Sequence, residues 1–200
     1  GRAPWRSAAA VCWELGRDCP IGIPDPIVRN AWERRVNSPQ SSAAGRLFDA
    51  ASAIILGLGE TSFEGQGPMW LEAIARDPAA FPRLQLRSAA GGRLELDWAP
   101  LVDWLLQRPP ATAADRADRA GAVHSALADG IVQVAERLRA QSGSSIVGLT
   151  GGVFQNRRLT ETALSGLSAR GFEVLLPVQL PCNDGGLSYG QVADFIGRKV

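Results

Sequence analysis

The sequence predicts an α/β fold built on a short parallel sheet, and two stretches carry that prediction. In the first, the apolar run Ile146 to Leu149 ends at the glycine pair Gly151 and Gly152, and a helix-like segment opens at Val153. In the second, Phe172 to Pro177 reads as another short strand, and the loop Pro181-Cys182-Asn183-Asp184-Gly185-Gly186 leads into a last helix from Leu187. Each stretch is a strand, a tight turn and a helix N-terminus. Both loops then fall along one rim of a parallel sheet, where open α/β sheets hold their ligands. Glycines at such a turn permit positive φ and close approach, and the free N–H groups of the first helical turn attract an anion. A phosphate-bearing ligand is the expectation.

The other elements follow in order. Pro4-Trp5-Arg6 leads into a helix over Ser7 to Leu15, with Ala8, Val11, Cys12 and Leu15 on one face, and Gly16 ends it. Gly22 to Pro26 is a turn-rich connector, and Pro26 to Val36 reads as an amphipathic helix with Ile27, Ala31 and Trp32 inward. After Ser41, Ser42 and Ala43, a helix carries Phe48, Asp49, Ile54 and Ile55 and stops near Gly57 to Gly59. Asp49 on so apolar a helix needs a partner or a wet cleft; a solvated helix charge or a local salt bridge is the plainer alternative. Met69 to Arg76 is a short helix with Trp70, Leu71 and Ile74 packed, broken by Pro78 to Pro82. Leu84 to Leu86 and Arg93 to Asp97 alternate as a β-hairpin or two edge strands, and Pro100 to Leu106 returns to helix. Ala117 to Gln141 is the longest helix, with Val123, Leu127, Ile131, Val134 and Leu138 at helical spacing. Its His124, the one histidine of the sequence, reads as a packed or hydrogen-bonded side chain.

Composition narrows the class. Two hundred residues, 46% hydrophobic and 20% charged, suffice for one good core or two small subdomains. Twenty-one basic against twenty acidic residues leave a formal net charge of +1, which offers no electrostatic argument for nucleic acid or a membrane surface. The longest uncharged apolar run, Ala50 to Gly59, is about half of what a membrane span needs. With no secretory leader pattern at the N-terminus, a soluble, cytoplasmic protein is expected. Cysteines 12, 19 and 182 are odd in number and lack metal-ligand spacing, so three reduced thiols are expected. Cys182 has no obvious base beside it and reads as a small buried thiol rather than a nucleophile.

A family resemblance rests on the same stretches. Thr150-Gly151-Gly152-Val153-Phe154-Gln155-Asn156-Arg157, with Cys182-Asn183-Asp184-Gly185-Gly186 and Gly190-Gln191, closely resembles the C-terminal end of the HypF carbamoyltransferases, which help to mature nickel–iron hydrogenases. Pro4-Trp5-Arg6-Ser7-Ala8 is similar to a Pro-Trp-Arg-Met-Ala element that lies well inside those proteins, and Gly45-Arg46-Leu47-Phe48-Asp49 with Leu56-Gly57-Leu58 is similar to an element shared with tRNA threonylcarbamoyl transferases of the TsaD type. His124-Ser125-Ala126-Leu127-Ala128 also resembles HypF, without a role. The resemblance implies an α/β lobe of the ribonuclease-H-like, actin-like ATPase superfamily with additional helices. Residues 1–200 would then be the C-terminal lobe of a TsaD-like carbamoyl-transfer domain, either a truncation or a subunit that meets the missing N-terminal half.

The implied chemistry is transfer of a carbamoyl group from carbamoyl-adenylate, made from carbamoyl phosphate and ATP, to the C-terminal cysteine of HypE. By that resemblance Gly151, Gly152, Gln155 and Asn156 hold one end of the nucleotide, Asp49 and Gly65 its ribose side, and Glu64 is a polar contact in the Ser62-Phe63-Glu64-Gly65-Gln66 loop. Gly65 reads equally as a simple turn. Asp184 would be one ligand of a divalent metal, zinc or iron, whose other ligands are histidines absent here, so the metal is expected only with the missing lobe. An Asx-type turn capping the last helix is the plainer reading of Asp184. A small-molecule O-carbamoyltransferase of the same superfamily, or a non-catalytic nucleotide-binding lobe, are the alternatives.

Overall fold

The computed structural model describes residues 2–21 and 25–198. Residues 22–24, most of the expected Gly22 to Pro26 connector, lie outside the described residues. The chain forms two compact units, residues 1–126 and 127–200.

The first unit is helical with one hairpin. Helix α1 (Pro4–Glu14) starts on a proline whose missing N–H costs nothing at that position, and ends in the reversal at Gly16, φ +64°. The hairpin pairs β1 (Gln85–Ser88) antiparallel with β2 (Leu94–Asp97), Leu86 opposite Leu96, and α5 (Ala99–Gln107) follows directly. Helix α3 (Ala44–Leu56) is the centre of the unit. Phe48 through Ile55 are all buried, so over these turns the helix presents no solvated face, as befits a segment enclosed by others. Helices α1, α4 (Gln66–Ile74) and α5 pack against it. Two glycines set how closely the backbones approach. A Cβ on Gly67 of α4 would collide with Ser52 Oγ of α3, and a Cβ on Gly121 of α6 (Ala113–Ser142) would collide with the Arg76 carbonyl oxygen. The backbone of Arg76 also donates to Ala117 O at 3.2 Å. His124 is fully buried, its Nδ1 2.7 Å from Ala120 O and its ring 5.0 Å from that of Phe48, so the packed reading of this histidine holds.

Three inward expectations in this unit are corrected. Helix α2 (Pro26–Glu33), capped by Asp25 Oδ1 on Ile27 N–H at 2.8 Å, buries none of its residues, and Ile27 is 79% exposed. Its inner contacts are Trp32 on Trp13, 5.4 Å between centroids, and Arg29 over the same ring, and position 27 lies on the opposite side of so short a helix. In α4 only Leu71 of the expected trio is enclosed. The left-handed Gly65 starts the helix at Gln66, turning Gly67 and Leu71, one turn apart, into the contact and leaving Trp70 and Ile74 at its margin.

The second unit holds the parallel sheet. Strand β3 (Ile146–Gly148) pairs with β4 (Glu173–Leu175) in the register Ile146–Glu173, Val147–Val174, Gly148–Leu175, and Leu149 N–H extends the ladder to Leu175 O at 3.0 Å. Between them runs α7 (Arg157–Ser168), whose Leu159, Ala163 and Leu167 form a buried stripe at helical spacing with Phe172. The second half of α6 belongs here, and its inner face is Leu127, Ala128, Val132 and Ala135, not the expected line through Leu138, which is exposed. The stripe turns because α7 crosses at Gly166, where a Cβ would be 3.0 Å from Val132 Cγ2. Arg139 closes the lower edge, its guanidinium 4.0 Å from the Phe172 ring centroid and donating to Arg170 O at 2.8 Å. The last helix, α8 (Leu187–Gly197), buries none of its residues. No helix among the described residues is long and apolar enough to cross a membrane.

Candidate functional site

The site residues named from sequence fall in both units, and each unit is described by itself.

In the second unit, β3 runs into Gly151, whose φ of +112° and ψ of 155° belong to a region essentially restricted to glycine. Gly151 N–H donates to Cys182 O at 2.6 Å, and Thr150 Oγ1 reaches the same carbonyl at 3.3 Å. The turn after β3 is thereby tied to the loop after β4. A 3₁₀ turn, Gly152–Gln155, follows, and α7 begins only at Arg157. The expected helix start at Val153 is therefore four residues early, because Asn156 is the N-cap: its Oδ1 accepts from Leu159 N–H at 2.8 Å. Gly152 stands in open space, and the nearest atom to a methyl placed on its Cα would be Asn183 Cβ at 3.9 Å. Among the described residues no acceptor meets the N–H groups of Gly152 and Val153. Two adjacent free backbone donors beside an exposed glycine can hold an anion. Gln155 closes the 3₁₀ turn on the same loop.

The loop after β4 is built tightly. Asn183 Oδ1 accepts from Gly185 N–H at 3.0 Å, so the Asx cap is Asn183, not Asp184. Gly186 cannot be replaced without conflict, since its Cβ would lie 2.8 Å from Pro181 O. Asp184 itself is exposed at the first position of the 3₁₀ turn Asp184–Gly186. Cys182 is half-buried rather than buried. Among the described residues no group of three or more His, Cys, Asp or Glu could hold a metal ion. One carboxylate does not make a site for zinc or a harder ion, so this chain's own residues do not fit a resident metal.

In the first unit, Asp49 is buried and Arg46, one turn earlier on α3, places Nη1 3.0 Å from its Oδ2. The local salt bridge foreseen as the plainer reading is thus present, but its geometry is not that of a hydrogen bond, and Asp49 Oδ2 accepts none among the described residues. Burial pushes the Asp49 carboxyl above the usual carboxylate range, Arg46 opposes that shift and Glu64 adds to it. Arg46 also donates through Nη2 to Glu64 Oε1 at 3.2 Å, joining α3 to the Glu64-Gly65 loop. Gly65 has φ +81° and is the N-cap of α4, so it is a left-handed turn residue, and Gln66 Oε1 secures that turn by accepting from Ser62 N–H at 2.7 Å. Thr61 Oγ1, in the same loop, is buried without a hydrogen-bond partner among the described residues. Sequence reasoning assigned nothing to Arg46 or Thr61. The i, i+3 spacing of Arg46 and Asp49 was the available signal for the former.

Comparison with known proteins places the chain in a family. Residues 1–191 match the family described as the second subdomain of the Kae1-like carbamoyltransferase domain. The chain is 37% identical over 196 residues to carbamoyltransferase HypF of Rhodobacter capsulatus, covering 94% of this chain and 25% of that protein. It is 38% identical over 205 residues to HypF of Rhizobium leguminosarum bv. viciae, covering 96% of this chain and 25% of that one. A solved structure of full-length HypF, described as the phosphate- and nucleotide-bound form, superposes with a TM-score of 0.82 at 26% identity over 98% of this chain and 27% of that one. The chain spans about a quarter of the length of these relatives.

Proposed function

The chain belongs to the HypF carbamoyltransferase family as its Kae1-like second subdomain, and from that premise we propose that it forms part of an enzyme passing a carbamoyl group from carbamoyl-adenylate to the C-terminal cysteine thiol of HypE. In that step the thiol gives up its proton, a sulfur–carbon bond forms, the bond between the carbamoyl carbon and the adenylate phosphate oxygen breaks, and AMP leaves. The acceptor is a protein tail, and the rest of a HypF chain is the other partner of this subdomain. Such a reaction belongs in the cytoplasm.

The observation that carries the reading is the corner after β3: a glycine in a glycine-only conformation, an unobstructed second glycine, and two free backbone N–H groups. This arrangement suits a phosphate of ATP or of carbamoyl-adenylate, with Gly151 and Gly152 giving close approach. Gln155 borders the same anion. Asn156 acts through the chain rather than by touching the ligand with Oδ1, since that oxygen holds the α7 cap. In the first unit Asp49 offers an oxygen that lacks a hydrogen bond, which a ribose hydroxyl would supply. Reaching it requires the half-exposed Arg46 to move, and Gly65 keeps the adjoining loop free of a side chain. Asp184 is available as one ligand to a divalent metal whose other ligands come from outside this chain.

The test is a chimera in which this chain replaces the second subdomain of Rhodobacter capsulatus HypF. Supplied with ATP, carbamoyl phosphate and HypE, it should add one carbamoyl group to the HypE C-terminal cysteine, read by peptide mass. A folded chimera that leaves HypE unmodified, beside an active parent, would overturn the proposal.

A further inference from the structure

Arg46 occupies a place that helix stability does not explain. It is the third residue of α3, at the end where the aligned peptide dipoles are positive and a cation is disfavoured, and no acidic residue stands in that first turn. Its guanidinium instead joins two carboxylates in unlike settings. Nη1 lies 3.0 Å from the buried Asp49 Oδ2 without the geometry of a hydrogen bond, and Nη2 donates at 3.2 Å to Oε1 of Glu64, whose side chain is 75% exposed. The planar fork thus spans from an enclosed oxygen to a solvent-facing one. Room surrounds both ends of the span: a Cβ added to Gly45, beside Arg46, or to Gly65, beside Glu64, would meet nothing within 4 Å.

We propose that Arg46 is a plug in the Asp49 subsite: in the ligand-free chain its guanidinium stands where two neighbouring ribose hydroxyls go, one to Asp49 and one to Glu64, and a ribonucleoside enters by displacing it. This rests on the reading of Asp49 as the ribose contact. The likeness between plug and ligand is chemical. A guanidinium presents two adjacent N–H donors in one plane, a vicinal diol presents two adjacent O–H donors, and ionised Asp49 and Glu64 can only accept.

The hold of the plug is loose enough to be exchanged. Its contact with Asp49 supplies charge but no hydrogen bond, so a hydroxyl that completes the bond to Oδ2 offsets what is lost. Its bond to Glu64 is exposed, where ion pairs contribute little. The released side chain, already half-exposed, returns its charge to water. Burial pushes the Asp49 carboxyl up and Arg46 opposes that shift, so the buried oxygen has a partner in either state, the guanidinium before binding and the hydroxyl after it. The plug lowers affinity all the same, because the apparent dissociation constant is the intrinsic one divided by the fraction of molecules with Arg46 displaced. Salt screens the ion pairs and raises that fraction, while an uncharged nucleoside is indifferent to salt.

The test is calorimetric titration of the whole chain with adenosine, which carries the ribose but no phosphate, at low and at high sodium chloride, with melting temperatures taken alongside. Wild type should bind adenosine about twofold or more tightly at high salt, a readout that needs no variant to fold. Arg46→Met should bind it at least about threefold more tightly than wild type at low salt and lose the salt dependence. A folded Arg46→Met that binds no more tightly, or a wild type whose affinity is flat or falls with salt, would overturn the plug. The parallel titration with 2′,3′-dideoxyadenosine separates the two levels of the reading. If it binds as well as adenosine, or if adenosine does not bind the folded wild type, the ribose contact fails and the plug with it; if only adenosine binds, a failed salt or Arg46→Met result counts against the plug alone.

Discussion

Gly151 N–H donates to Cys182 O at 2.6 Å, and this bond fixes the turn after β3 against the loop that carries Asp184. The two loops of the proposed anion corner are thereby joined backbone to backbone. Gly151 alone can adopt the required φ of +112° there, while its neighbour Gly152 is unstrained and unobstructed.

The two glycines should separate under mutation. Gly151→Ala is expected to cost about 1–3 kcal/mol of stability, the strain of holding a side chain in that region. Gly152→Ala should change stability by less than about 0.5 kcal/mol, in line with other substitutions that meet no neighbour. Denaturant melts of both variants check this; equal losses would contradict the backbone geometry.

Asn156→Ala should cost about 1 kcal/mol through loss of the Leu159 N–H cap, and Asn156→Asp or Asn156→Ser should recover most of it. Thermal melts of the three variants are the measurement. An alanine variant as stable as wild type would return Asn156 to a purely ligand-facing role.

Asp49 gives a pH signature. Burial raises its folded carboxyl above the unfolded value of about 3.9, so the native state holds the proton more tightly. The stability this contributes is complete below the unfolded value and is lost as pH rises through the raised folded one. Asp49→Asn has no proton to lose, so wild type should lose stability relative to it between acid and neutral pH. Urea titrations of both proteins across that window read the difference directly, and a difference that is flat or moves in favour of wild type as pH rises would contradict the assignment.

Gly121→Ala should be more damaging than Gly67→Ala. The Gly121 methyl meets the Arg76 carbonyl, which is backbone, whereas the Gly67 methyl meets the Ser52 hydroxyl, which can turn away. Overpacking of this kind costs about 1–3 kcal/mol and more where backbone must shift. Comparing the two variants by chemical denaturation tests the ranking.

Much of this was readable in the sequence where the cause is local. The strands at Ile146 and Glu173, the hairpin around Gly91 and Gly92, and the stop at Gly57 follow from short apolar runs, apolar–polar alternation and glycine punctuation. What depends on a neighbour was not. Ile27 faces outward because Trp13 and Arg29 decide which side of α2 is inner, and the stripe of α6 turns where Gly166 lets α7 approach. Of the site, the glycine corner and Asp49 were legible from motif and resemblance. The cap role of Asn156 was hidden because a helix starting at Val153 leaves no cap to fill.

The most direct measurement of the central claim is calorimetric titration of the chain with ATP and magnesium, for wild type and for Gly152→Val, with melting temperatures taken alongside. Wild type should give an exotherm, and affinity should be weakened at least about tenfold, or 1.4 kcal/mol, in a Gly152→Val protein that melts like wild type. Equal binding by the two, or no binding by the folded wild type, would contradict the anion corner at Gly151 and Gly152.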